Sequence, residues 1–374
     1  MFRFGFVSTY PPTLCGLATF TKALYTELVT AGSGQGTVIR LVESPQPGLS
    51  GGIAGQLVAG DPAGPRTAAA LLASSDVVIL QHEYGVYGGP DGDEVLALLR
   101  EIAAPTIVVL HTVLSEPTAN QRRVLEAVVG LADAVITMTG TARERLATGY
   151  TVDMAKVSVI PHGAPPVQRG QMASFRTGQP TVLSWGLIGP GKGVEWGIAA
   201  MALLADLDPA PRYVVAGQTH PKVLVHEGDV YRERLQRQVV DLGLEETVTL
   251  DGRYRSDNEL AALVESADVV LLPYDSTDQV TSGVLIEAVA ALKPVVATRF
   301  PHAIELLGGG AGLLVPQKDP QAIADALRTL LTHRDLSIGM TKAAAASAPD
   351  LLWPAVASRY RELAERLLLA RLAA

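Results

Sequence analysis

Short apolar runs rich in β-branched residues recur along this chain, and segments with helical spacing separate them. In the first half the runs predict strands at Phe4–Ser8, Val38–Val42, Val77–Leu80, Thr106–Leu110, Ala134–Met138 and Val157–Ile160. In the second they predict strands at Thr181–Trp185, Tyr213–Ala216, Val248–Leu250, Val269–Leu272, Val295–Thr298 and Gly312–Val315. Strands alternating with helices make βαβ units, and near-continuous apolar runs suit parallel sheets buried on both faces. Residues 161–180, PHGAPPVQRGQMASFRTGQP, break the pattern and read as a linker, stiffened at Pro165–Pro166. The organisation expected is therefore a Rossmann-like domain at 1–165 and a second at 166–345. In the remaining segment, 346–374, Trp353, Val356, Tyr360, Leu363 and Leu367 form one apolar helical stripe, expected to pack back on the first domain. The Gly/Pro-rich stretch Gly48–Gly64 reads as a loop.

Composition narrows the classes. A chain of 374 residues suits two domains, and 48% hydrophobic against 18% charged residues argues against disorder. A net charge of −8 offers no electrostatic basis for binding nucleic acid. The single cysteine, Cys15, excludes a disulfide framework and a thiolate metal cluster. A strand at the very start leaves no room for a secretory signal, and no apolar run reaches the roughly 18 residues of a spanning helix. The expectation is a cytoplasmic protein, with peripheral membrane contact left open.

Ligands in open α/β sheets bind beyond the carboxyl ends of the strands, and the chemistry-bearing residues fall there. In PYDSTDQVTSGVLIEAVAALKPVVAT, residues 273–298, a strand stops at Pro273 and Thr281, Ser282 and Gly283 stand where a helix begins. Free N–H groups and the helix dipole make such a terminus an anion site. Glu287, about one turn in, can accept hydrogen bonds from a ribose diol, so the segment points to a nucleotide diphosphate-sugar. In TVLSWGLIGPGKGVEWGI, Gly186, Gly189, Gly191 and Gly193 surround Lys192, which is placed to meet a diphosphate; the alternative is a solvated lysine in a turn. The loop is neither GxGxxG nor a P-loop. Gly16, between the first strand and a helix, lets a phosphate approach the backbone or simply makes a tight turn. His111 follows a buried strand and either meets a sugar hydroxyl or is a satisfied structural histidine. His82 and Glu83 form an acceptor-side pair or belong to a solvated loop. Gln218, Thr219 and His220 line a donor pocket, and Arg253 lies near a base or phosphate, or all four are ordinary loop polarity. No HExxH or DxD-like pattern offers a metal site.

Taken together, the Gly16 loop, His111, IPHG at 160–163, PGKG, the stretch ending in Glu287 and the sequel PVVATRFPHAIELLGGGAGLLVPQKDPQAIADAL resemble the retaining glycosyltransferases of family 4. The resemblance covers nearly the whole chain. It implies the α/β GT-B architecture, two doubly wound parallel-sheet domains facing across a cleft. It also implies that Gly16 approaches the donor phosphate, His111 contacts the transferred sugar and Lys192 binds diphosphate. The family's E-x7-E stretch falls on Gln279, for the sugar, and Glu287, for the ribose. The backbone of Ser282, Gly283, Val284 and Leu285 caps phosphate and sugar. Two departures stand out: Gln279 replaces an acid, and Leu187 replaces an arginine that follows Gly186. An amide still bonds a sugar hydroxyl. A bacterial subgroup with GLIxPGKG, GxTHP and QxTSG, linked to mannoside metabolism, shares both departures. The implied activity is metal-independent, retaining transfer of a hexose from GDP-mannose or UDP-glucose to an unidentified hydroxyl acceptor, without a further cofactor. The alternatives are a catalytically degenerate sugar-nucleotide-binding protein and a 2-epimerase, whose acid/base chemistry wants a carboxylate pair.

Overall fold

A computed structural model describes residues 2–32, 34–48, 52–166 and 178–373. Of the linker expected at 161–180, residues 167–177 lie outside the described residues, as do 49–51 of the Gly48–Gly64 stretch. The chain divides into two compact units, one running to Gly163 and resuming at Trp353, the other spanning Ala164–Leu352.

The first unit holds seven parallel strands: β1 (Arg3–Ser8), β2 (Gln35–Val42), β3 (Ile53–Val58), β4 (Val77–His82), β5 (Thr106–Leu110), β6 (Ala134–Thr137) and β7 (Val157–Val159). Their order is β3-β2-β1-β4-β5-β6-β7. The second unit holds six, β8 (Thr181–Trp185), β9 (Arg212–Ala216), β10 (Val248–Asp251), β11 (Val269–Leu272), β12 (Val295–Thr298) and β13 (Gly312–Val315), ordered β10-β9-β8-β11-β12-β13. Every pairing is parallel. Both sheets are doubly wound, and the winding reverses between β1 and β4 and between β8 and β11. Those are the switch points where a crevice opens at the carboxyl edge.

The Gly48–Gly64 stretch is not only a loop, because it contains β3. This strand forms the sheet edge and is half-exposed, with Gly55 where a Cβ would strike Leu71 of the covering helix. Its glycine and its exposure dilute the apolar signal that marks a buried strand. The first unit's core gathers Phe4 and Phe6 of β1, Phe20 and Leu24 of the helix Gly16–Tyr25, and Trp353, Val356 and Tyr360 of the helix Trp353–Ala373. The division expected at 345/346 falls inside the helix Arg334–Leu351, where an alanine-rich run favours continuation. Leu352 is the extended residue that ends it. No helix among the described residues is long and apolar enough to cross a membrane.

Candidate functional site

In the second unit, the loop after β8 carries three glycines with positive φ, Gly186 (113°), Gly191 (86°) and Gly193 (61°). At Gly193 a Cβ would run into the Pro273 carbonyl at the end of β11, so only glycine lets the two loops meet there. The Asp275 N–H then donates to the Gly191 carbonyl at 3.1 Å. This contact sets Lys192 with its ammonium 4.2 Å from the centre of the Tyr274 ring, and that ring stacks on Phe300 at 4.9 Å. The loop after β9 joins them: His220 N–H donates to the Ile188 carbonyl at 2.8 Å. Burial, then the charges of Lys222 and Lys192, lower the His220 pKa. Thr219 is engaged with Asp229 at 2.6 Å, so its hydroxyl braces this loop.

After β11 the chain enters the helix Gly283–Ala290, capped by the Ser282 hydroxyl, which accepts from Leu285 N–H at 3.3 Å. Ser282 N–H, expected among the free donors, instead donates to buried His302 Nδ1 at 2.8 Å. Leu285 N–H is likewise committed, which leaves Gly283 and Val284 as the N–H groups without partners at this terminus among the described residues. Gln279 turns its side-chain amide onto the Thr281 carbonyl, and its main-chain carbonyl accepts from His302 N–H at 3.3 Å. Glu287 lies one turn into the helix and accepts from Trp185 Nε1 at 3.0 Å. Burial raises the Glu287 pKa, the Trp185 bond lowers it, and Asp257 raises it again. One carboxylate oxygen is thus anchored by the indole. Arg253 stands apart from this group. It is exposed at the end of edge strand β10, and its guanidinium is held by Asp251 at 2.8 Å.

In the first unit, Gly16 opens the helix Gly16–Tyr25, and a Cβ there would meet nothing within 4 Å. Neither packing nor a positive φ demands glycine there. His111 follows β5 and donates from Nε2 to the amide oxygen of Gln81, a fully buried residue of β4, at 2.7 Å. An amide oxygen only accepts, so Nε2 carries the proton and Nδ1 the lone pair. Burial, then His162 and His82, lowers the His111 pKa to about 3. His162 donates from Nδ1 to the Gly163 carbonyl at 2.6 Å and is lowered to about 4, again chiefly by burial. Both imidazoles sit 5.0 Å from the Phe20 ring, edge to face.

His82 and Glu83, expected as a pair, are not joined. β4 ends at His82, and Glu83 opens the loop that follows it. His82 is buried beside Tyr84 with neither ring nitrogen bonded. Glu83 accepts from Tyr84 N–H at 3.0 Å and from the Thr112 hydroxyl at 2.5 Å. Sequence reasoning passed over Trp185, Tyr274, His302 and Gln81. Gln81 lies just past the strand expected at Val77–Leu80, and β4 runs on through it to His82.

Two doubly wound parallel sheets, with a Gly-rich loop and a helix terminus at the second switch point, fit the GT-B fold. Residues 179–333 match the family of glycosyl transferases group 1. A D-inositol 3-phosphate glycosyltransferase of Corynebacterium jeikeium is 32% identical over 268 residues, covering 66% of this chain and 61% of that protein. The chain thus spans about three fifths of the length of the curated relatives it matches. Among solved structures, the sucrose-phosphate synthase of Thermosynechococcus elongatus matches with a TM-score of 0.76 at 20% identity, over 99% of this chain and 100% of that one. The Anabaena protein Alr3699/HepE in complex with UDP-glucose matches with a TM-score of 0.75 at 17% identity, over 98% and 100%.

Proposed function

We propose that the protein is a retaining hexosyltransferase that moves a sugar from a nucleotide diphosphate-sugar to a hydroxyl acceptor. The observation that carries this reading is one grouping in the second unit: Lys192, the free N–H groups of Gly283 and Val284, and Glu287. A cation and two N–H donors suit a diphosphate, and a carboxylate with one unanchored oxygen suits a ribose diol. In the proposed reaction the bond from the sugar to the diphosphate breaks, and the departing oxygen takes the acceptor's proton as that acceptor attacks the same face. Lys192 and the two N–H groups stabilise the charge left on the diphosphate, so chelators should leave activity intact. The neutral His111, with Nδ1 as acceptor, would receive a hydroxyl of the transferred sugar. The reaction needs no cofactor beyond the donor. We take GDP-mannose as the first donor to try and UDP-glucose, the ligand named with the Anabaena structure, as the second.

Calorimetry with GDP, UDP, ADP and their mannose, glucose and GlcNAc conjugates tests the proposal. Micromolar binding of one base, with turnover to a product that keeps the donor's anomeric configuration, is the expected result. Silence across the panel in a folded sample overturns it. A second reading, a binder without catalysis, is favoured by Leu187 and by the Gln279 amide turned onto Thr281. Binding with neither transfer nor hydrolysis would select it.

A further inference from the structure

Arg40 is a buried cation without a counter-charge. It lies in β2 opposite Ser8, the last residue of β1, with 6% of its surface exposed. Its one hydrogen bond runs from Nη2 to the Thr13 hydroxyl at 2.9 Å, in the loop between β1 and the helix Gly16–Tyr25. Nε is buried with no acceptor, Nη1 has no partner among the described residues, and no carboxylate among them pairs with this side chain. A guanidinium offers five N–H donors, and one neutral hydroxyl leaves most of them unused. Buried charges are ordinarily paired or fully hydrogen-bonded, because stripping water from an unpaired one costs several kcal/mol. Two other cations among the described residues, buried Lys293 and half-buried Arg255, obey that rule. Lys293, also 6% exposed, donates to the carbonyls of Glu265 at 2.7 Å and Ala267 at 2.9 Å, and Arg255 meets Asp251 at 2.5 Å.

The position of Arg40 matters as much as its isolation. It stands at the carboxyl edge of the sheet, beside the β1 switch point and under the loop that leads to Gly16. A group bound in the crevice of this unit comes to that edge. The donor diphosphate has its own complement, Lys192 and the free N–H groups, in the other unit. We propose that Arg40 recognises an oxyanion carried by the acceptor, a phosphate or a carboxylate, and that the enzyme therefore glycosylates an acidic acceptor. The identification of that oxyanion with the acceptor rests on the transferase reading above; the anion site itself does not.

The test titrates inorganic phosphate, and separately acetate, into the full-length protein first saturated with its nucleoside diphosphate, so that the donor site is already filled. Thermal shift and calorimetry are read against chloride at matched ionic strength. Wild type should show a saturable response to one of the two anions. Arg40→Gln should weaken that response about ten- to a hundredfold, the value of a charged hydrogen bond, while leaving nucleotide affinity unchanged. Arg40→Lys should retain part of it. No saturable response in wild type, or an equal response in Arg40→Gln, overturns the site. Equal loss of nucleotide and anion binding in Arg40→Gln assigns the oxyanion to the donor and overturns the acceptor assignment. If Arg40→Gln does not fold, the Arg40 Nε–H resonance of wild type, assigned with Arg40→Lys, decides: it should move with the anion isotherm, and a stationary resonance sinks the proposal. Absence of any nucleotide binding would defeat the transferase reading, yet the same titration on the unliganded protein would still decide the anion site.

Discussion

The first unit ends β4 in His82 and follows β5 and β7 with His111 and His162, all three held neutral, whereas the second ends β8 and β11 in a lysine loop, a helix terminus and a carboxylate. The winding of the two sheets is the same. The topology therefore decides where a ligand can bind, and the loops decide what charge it meets. In the first unit, histidines are packed among Phe20, Trp353 and Tyr84, where burial strips water from the imidazolium. In the second, Gly193 brings two loops close enough to bring a cation and free N–H groups to one switch point.

The largest consequence of this contrast is acid sensitivity. Histidine titrates near 6.5 when unfolded, and His82, His111 and His162 titrate at about 4, 3 and 4 in the folded unit. Between those values the unfolded chain binds more protons, so stability is full above the unfolded pKa and is lost as pH falls through the window. Each histidine contributes up to about 1.4 kcal/mol per pH unit there. Glu287 runs the other way: its folded pKa is raised, so its own contribution grows on acidification and works against the lowered pKa of His220 and Asp251 in the same unit. After incubation at pH 7 to 4 and pulse labelling at one fixed pH, peptides of the first unit should lose amide protection at a higher pH than those of the second. Loss in the reverse order would break the comparison.

Next in size is Lys192→Ala. Removing the cation should weaken nucleoside diphosphate binding about ten- to a hundredfold and nucleoside binding hardly at all, as calorimetry with the two ligands would register. Equal affinity for the diphosphate in variant and wild type would remove Lys192 from the site. Glu287→Ala has the complementary signature. It should cost about tenfold for any ligand that keeps its ribose diol, and nothing for a 2′,3′-dideoxy analogue.

These two residues were legible in the sequence because each stands beside local punctuation: glycines around Lys192, and a strand end, a small-residue loop and a helix start before Glu287. The strands were legible for a similar reason, since burial on both faces leaves an unbroken apolar run. β3 was not, because an edge strand with Gly55 carries no such run. Trp185, Tyr274, His302 and Gln81 were out of reach for a different reason. Trp185 and Glu287 are 102 residues apart and meet only because β8 lies beside β11. His302 reaches Ser282 only because the next crossover returns to the helix start.

The smallest effect is the one that separates anchoring from binding. Trp185→Phe keeps the ring and removes the N–H that Glu287 accepts, a loss of about 1 kcal/mol or several-fold in nucleotide affinity. It also removes the contact that holds the Glu287 pKa down against burial, so the carboxyl should protonate at a higher pH than in wild type. A diol needs the carboxylate as acceptor, and binding falls as pH drops through that pKa. The acid limb of a plot of nucleotide affinity against pH should therefore move toward neutrality in Trp185→Phe, and disappear in Glu287→Gln, which cannot titrate. If the limb stays in place, the indole only fills space beside the helix, and Glu287 takes its orientation from the backbone alone.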